Sequence, residues 1–228
     1  MRFNGLPGTK YITGFDTFIR HRVMAALADK FNPTTILDVG GEGMLKLFLP
    51  RVQIIAANVK SGDISYSGDK LPLKDRSFDV VVSLDTIEHL PKHERVDFTQ
   101  ELYRVSEKAF ILCAPLGTPE HVAYEKEVLA FGSVAGDSYK YLAEHVKYGL
   151  PAPTEVLEMA RQFSAKVFYQ GDFRKVRTSN NKCMYLHLFA QTVGNIIVDA
   201  FWQNSKYLAS DFTQYTNRFF LIADKSGR

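Results

Sequence analysis

With 228 residues the chain suits one domain with some elaboration and can bury a sizeable core. Hydrophobic residues make up 46% and charged residues 23%, as in ordinary soluble globular proteins, and a formal net charge of +3 is too small to argue for nucleic acid. The start, M-R-F-N-G-L-P-G-T-K, lacks the apolar core of a secretory signal, so the expected location is the cytoplasm.

Residues 1–14, rich in Gly and Pro, read as an N-terminal arm. From Phe15 to Phe31, apolar residues recur at helical spacing, with Asp16 or Thr17 available as caps and Pro33 beyond the end. Arg20, His21 and Arg22 read as the solvated face of this helix, with a substrate contact as the alternative. Next comes T-T-I-L-D-V-G-G-E-G-M-L-K-L-F-L at 34–49: an apolar β-branched run, then Gly40, Gly41 and Gly43, then a helical pattern. Strand, glycine turn and helix bring bare backbone N–H groups up to a ligand, which makes these three glycines candidate binding positions. Asp38, at the strand's end, needs a positive or hydrogen-bonding partner to tolerate partial burial, and a ligand ammonium would supply one.

Gln53–Asn58 reads as a buried second strand and Asp63–Ser65 as a short third. V-V-V-S-L at 80–84 is a fourth, with the unbroken apolar run of a parallel sheet. The loop D-T-I-E-H-L-P leads to a helix over 92–105 that turns Val96, Leu102, Tyr103 and Val105 inward, and Lys108–Ala114 is a fifth strand. Strands alternating with helices predict a doubly wound, Rossmann-like α/β sheet. Beyond 118 the pattern predicts helices over 120–131 and 137–148 and a third from Thr154 to Phe163, then a sixth strand over 165–170 and a last one over 218–224. The whole is one domain: arm 1–14, core 15–118, helical region 119–217 with the sixth strand, closing strand and tail 218–228.

Within that helical region, Cys183–Phe201 is nearly all apolar, except that His187, Gln191, Asn195 and Asp199 recur at every fourth position as one stripe. Such a helix is buried, paired with a second subunit in a homodimer, or touching lipid; alternatively the stripe points inward at a substrate. A membrane span is disfavoured, because the stripe and Gly194 interrupt a stretch barely long enough. Cys113 and Cys183 lie far apart, read as buried thiols in a reducing compartment, and have no metal spacing, so no metal is expected.

Three stretches together resemble the class I S-adenosylmethionine-dependent methyltransferases: I-L-D-V-G-G-E-G at 36–43, G-D-K-L-P-L-K-D-R-S-F-D-V-V-V-S-L-D-T-I-E-H-L-P at 68–91, and the strand K-A-F-I-L-C-A-P. The resemblance covers roughly residues 15–118 and implies a sheet of about seven strands with the last antiparallel, with the cofactor across the strands' carboxyl ends. It implies that Asp38 and the Gly40–Gly43 backbone hold the amino-acid end of S-adenosylmethionine. Asp69 and Leu71 would meet the adenine, and Ser83 and Leu84 the methionine moiety. Asp85 and His89 would open toward the acceptor as the candidate catalytic residues. Two positions depart from the family's pattern. Glu42 and Met44 stand where glycines are expected, and the place of the acid that normally binds the ribose is held by Asn58, or by Lys60 if the strand runs longer, with Asp63 a few residues on as the candidate substitute. A dinucleotide site at the same turn would need G-x-G-x-x-G and that same acid, so it ranks below methyl transfer.

A hydroxyl or amine acceptor needs a route for its proton, and His89 is the candidate base, its alternative being a helix-entry residue beside Pro91. His121, Tyr11 and His145 are candidate acceptor-side residues; each has a structural alternative, for Tyr11 an exposed aromatic and for His145 the end of a helix at Gly149. The string A-E-H-V-K-Y-G-L-P resembles one in methyltransferases of polysaccharide clusters, which implies a sugar or glycan acceptor. The reading is therefore S-adenosylmethionine-dependent methylation of a small molecule or glycan at oxygen. Its alternative is a non-catalytic module that keeps the fold for binding or assembly.

Overall fold

The computed structural model describes residues 8–59, 62–66, 70–131, 136–177, 184–203 and 206–226, with the main chain alone at 137–138, 176–177 and 184–188. Asp69, Lys60 and Cys183 lie outside the described residues, as does the side chain of His187.

Seven strands form one sheet: β1 (Thr35–Val39), β2 (Gln53–Asn58), β3 (Ile64–Ser65), β4 (Phe78–Leu84), β5 (Ser106–Pro115), β6 (Lys166–Asp172) and β7 (Thr216–Asp224), in the order β3-β2-β1-β4-β5-β7-β6. β1 to β5 pair in parallel, while β7 is antiparallel to both of its neighbours. The period-two alternation of strand side chains sorts the core onto two faces. Leu37, Val81 and Phe110 pack against the helices α2 (Arg95–Val105) and α5 (Pro153–Phe163), whereas Ile36, Val82 and Ile111 pack against α1 (Phe15–Asp29). The remaining helices are α3 (Pro119–Ala130), α4 (Asp137–Tyr148), the short α6 (Phe173–Arg177) and α7 (Met184–Ala200).

Several local expectations are corrected. The glycine turn runs into a four-residue 3-10 helix, Met44–Leu47, instead of a full helix; Pro50 closes off any continuation. α1 is capped by Gly14 without a side-chain hydrogen bond, and Asp16 reaches across to Arg218 at 2.6 Å. Pro153 opens α5 after Ala152, so Thr154 sits inside the first turn and caps nothing. On α2, Leu102 and Val105 are buried as expected, but Val96 faces solvent and Arg95 and Thr99 take the inner positions.

The polar stripe of α7 turns inward, but onto the arm and α1. Asn195 donates through Nδ2 to the carbonyls of Tyr11 and Thr13, both at 3.0 Å. The Asp199 carboxylate accepts from Lys10, the Tyr11 hydroxyl and Arg22, each at 2.7 Å. The apolar face is left outside, with Phe189 68% and Phe201 75% exposed. Among the described residues no helix is long and apolar enough to cross a membrane.

Candidate active site

The chain leaves β1 for β2 on one side and reaches β4 on the other, so the carboxyl ends of β1 and β4 open a crevice between them. A cavity of about 750 Å³ lies there, within the range of roughly 300–1,000 Å³ usual for small-molecule sites. The two glycines at its floor have steric reasons to be glycine. A side chain on Gly40, which has φ +84°, would collide with Thr86, and one on Gly41 would collide with the Asp38 carboxylate. Backbone and carboxylate are thereby packed directly together at the cavity wall.

Asp38 is 5% exposed, lines the cavity and accepts no hydrogen bond from the described residues. Burial pushes its carboxyl up to about 7, with Lys46 pulling weakly the other way. Asn58, at the end of β2, also lines the cavity, and its Nδ2 donates to the Gly40 carbonyl at 2.9 Å, fixing the turn. Asp63 does not stand in for the missing acid: one carboxylate oxygen accepts from the Ala56 N–H at 2.9 Å and lies 3.0 Å from Lys46 Nζ. Gly43, at φ +85°, opens the 3-10 turn. Leu71 is buried beside an adjoining smaller cleft that Val59 and Tyr66 also line, and its N–H donates to Glu101. Leu84 lines the main cavity, whereas Ser83 is fully buried behind it, with an unpartnered hydroxyl.

Opposite Asp38 the wall becomes a cluster of charged and imidazole groups. Asp85, at φ 52°, lies 2.9 Å from Arg20 and 3.3 Å from Arg218. Burial alone would raise its pKa, but the two guanidiniums outweigh that and hold the carboxyl below its usual range. Asp85 is thus ionised and held, suited to orienting a group and not to taking up a proton. Glu88 is 1% exposed, and burial, with the Asp85 charge second, raises its carboxyl well above the usual range. His89 is kept neutral at pH 7 by burial and then by His145, so its imidazole is free to accept a proton. The rings of His89 and His145 lie 4.8 Å apart, and Tyr141 meets His89 edge-on at 5.2 Å.

Sequence reasoning missed part of this wall. Arg20 and His21 line the cavity instead of facing bulk solvent, and Arg218 reaches it from β7. α4 supplies Lys140, Tyr141 and Glu144 beside His145. Two expected acceptor residues are elsewhere. Tyr11 is bound to Asp199, and His121 is buried, its Nδ1 2.9 Å from the Leu116 carbonyl and its ring stacked on Phe173 at 4.4 Å. Only tertiary neighbours separate these from His145, so no local signal distinguishes them.

Residues 22–112 match the family model described as a methyltransferase domain. Over these residues the chain is similar to a methyltransferase domain, and the order of its seven strands is in keeping with that likeness. The solved plantazolicin methyltransferase BpumL, in complex with a pentazolic desmethylPZN analog and SAH, superposes with TM-score 0.55 at 10% identity, over 93% of this chain and 86% of that one. A putative methyltransferase from Bacillus halodurans gives TM-score 0.48 at 14% identity, over 88% and 95%. Haemonchus contortus phosphoethanolamine N-methyltransferase 2, in complex with S-adenosyl-L-methionine, gives TM-score 0.49 at 15% identity, over 92% of this chain and 57% of that one. The chain therefore spans little more than half of that last enzyme. No curated protein matches it by sequence. At 10% identity the likeness to BpumL is one of fold.

The cofactor of such a domain is S-adenosylmethionine, and the β1 side of the cavity fits it. A buried carboxylate that accepts no hydrogen bond from the described residues suits an ammonium, and Gly41, where a side chain would strike that carboxylate, keeps the wall clear beside it, while the Gly40 backbone is tied to Ala57 and Asn58.

Proposed function

We propose that this methyltransferase acts on a small-molecule or glycan acceptor and methylates it at oxygen. The observation that carries the reading is one cavity with two unlike ends. Asp38 and the glycine turn form a cofactor end, and Asp85, Glu88, His89 and His145 form a polar end where an acceptor can sit. When bound, S-adenosylmethionine supplies an electrophilic methyl carbon on a sulfonium and leaves as the neutral thioether. Asp38 would hold the ammonium, and the backbone about Gly40 and Gly41 the rest of the amino-acid end. Leu84 would pack on the methionine chain, Leu71 and Asp69 would border the adenine, and Asn58 would face the ribose. The acceptor must lie in line with the methyl carbon, so much of the catalysis is alignment. Asp85, locked by two arginines, would orient a hydroxyl donor, and His89 would receive its proton.

The helical region 119–217 contributes to the acceptor side through α4, whose Lys140 is an exposed cation at the cavity and suits an acceptor bearing an anionic group. The basic run at 173–177 gives no such support, since Arg174 pairs with Asp172 and stacks on Tyr215. We also propose a cytoplasmic setting and a homodimer through the exposed face of α7.

The test is calorimetric titration with S-adenosylmethionine and S-adenosylhomocysteine, followed by a methyl-transfer screen over sugars, phosphosugars, other hydroxyl compounds and peptides. Micromolar binding, lost in Asp38→Ala, and turnover on a hydroxyl acceptor are expected. Asn58 in place of the ribose acid favours a second reading, a non-catalytic module. A folded protein that binds neither ligand would retire the enzyme and leave the module.

A further inference from the structure

We propose that Glu88, His89 and His145 bind a divalent transition-metal cation at the acceptor end of the cavity. Glu88 and His89 come from the 3-10 turn Ile87–His89 that follows β4, and His145 comes from α4. One ligand atom from each residue lies within 4.8 Å of the other two. Two imidazoles and one carboxylate form a mixed nitrogen–oxygen donor set that suits Zn²⁺, Mn²⁺ or Fe²⁺ and leaves positions open for a further ligand.

Two independent observations point to an ion. The first is Glu88 itself, whose two carboxylate oxygens are buried and find no hydrogen-bond donor, although its own backbone N–H approaches one of them. His145 Nε2 is likewise buried and unpartnered, and it stands 4.0 Å from Glu88 Oε1. That distance is too long for a hydrogen bond between them. Buried polar atoms facing one another without a partner are rare and costly, and an ion or water between them is the usual remedy. The second observation lies behind the ligands. Glu125 of α3 puts Oε1 3.0 Å from His145 Nδ1, which fixes the ring and turns Nε2 toward Glu88. Glu144 puts Oε2 2.9 Å from His89 Nδ1, at ion-pair distance though not in hydrogen-bond alignment. His145 is thus backed by a hydrogen-bonded carboxylate, the arrangement that orients and strengthens metal-binding histidines, and His89 has a carboxylate at ion-pair distance.

The expectation of no metal rests on the spacing of the cysteines, whereas His145 lies far in sequence from Glu88 and His89 and is brought to them by the packing of α4 on the turn after β4. Binding of the cation stands without the methyl-transfer reading. Its use rests on that reading: the open positions face the cavity, where an acceptor oxygen can join the cation and be held beside the cofactor end. His89 would then be a ligand and not the base: the cation would lower the pKa of a bound acceptor hydroxyl, whose proton would pass to solvent water in the open cavity as the oxygen takes the methyl group.

The experiment is a calorimetric titration of chelator-treated, dialysed protein with ZnCl₂, alongside Glu88→Gln and His145→Ala, each first shown to melt cooperatively. One Zn²⁺ per chain is expected, with affinity weaker by at least about a hundredfold in both variants. Absence of saturable binding, or equal binding in the variants, overturns the site. Should either variant fail to fold, Co²⁺ added to the wild-type protein is read by visible absorption. A band that saturates at one equivalent and is bleached by Zn²⁺ supports the site, and no such band removes it. A parallel titration of stripped protein with S-adenosylhomocysteine keeps the two readings apart. S-adenosylhomocysteine binding without Zn²⁺ binding defeats the metal site alone, and Zn²⁺ binding without S-adenosylhomocysteine binding defeats the enzyme reading alone.

Discussion

Asp38 shows how far a single residue's surroundings can set a pH dependence. In the cofactor-free protein its carboxyl titrates at about 7, against roughly 3.9 for an exposed aspartate, because burial disfavours the charge. The folded state therefore binds a proton that the unfolded state has lost between those two values. The stability this group contributes is complete below about pH 3.9 and declines as pH rises toward 7. A ligand ammonium needs the ionised form, so a proton must leave before the cofactor binds at any pH below 7. Affinity for S-adenosylhomocysteine should weaken by about twentyfold between pH 7.5 and 5.5. Calorimetry at the two pH values checks this, and Asp38→Asn should bind weakly with a flat profile. An equally steep profile in Asp38→Asn would assign the titration to another group.

Among the elements, α4 matters most to the site, and one buried arginine fixes its end. Arg95 is 1% exposed and belongs to α2; its guanidinium donates to the Tyr148 carbonyl at 3.4 Å and to that of Gly149, capping the C-terminus of α4. It also pairs with Glu155 of α5 at 3.1 Å and donates to the Leu90 carbonyl at 3.1 Å. Arg95→Ala leaves those acceptors without a cation and should cost about 3 kcal/mol, a fall in Tm of roughly 6–12 °C. Scanning calorimetry reads the fall, and hydrogen exchange should locate the loosening in α4; an unchanged Tm would mean that the arginine is dispensable. The bounds of α4 are legible in the sequence, since Gly149 and Pro151 end it and its apolar spacing is local. The strands and glycine turn are legible for the same reason. What α4 touches is not: Arg95 looks like a surface residue of an amphipathic helix, and Glu125 and His145 are joined only by folding. Arg20 and His21 are not recognisable in the sequence as cavity residues, because a helix with polar residues on one face does not disclose whether that face meets solvent or a cavity.

At the scale of the whole molecule, α7 is turned inside out relative to an ordinary surface helix. Asn195 and Asp199 are consumed in holding the arm and α1, so the face left to solvent is the apolar one: Phe189, Val193, Ile196, Ile197 and Phe201. These residues recur at intervals of three and four and make one continuous stripe along a helix of 17 residues, roughly 25 Å. Monomeric proteins rarely leave a stripe of that kind uncovered. A second copy of the same helix is the economical cover, because a two-fold axis through the stripe matches it to itself. Light scattering should therefore give twice the 25.8 kDa of one chain at micromolar concentration. The double substitution Phe189→Glu with Ile197→Glu should give monomers, since two like charges would meet their own copies across the axis. Its Tm should fall only by the dimer's share of stability, which depends on protein concentration in the wild type and not in the variant. A wild-type chain that stays monomeric at high concentration would leave the stripe to another occupant, and a variant that remains dimeric would move the interface elsewhere on the surface.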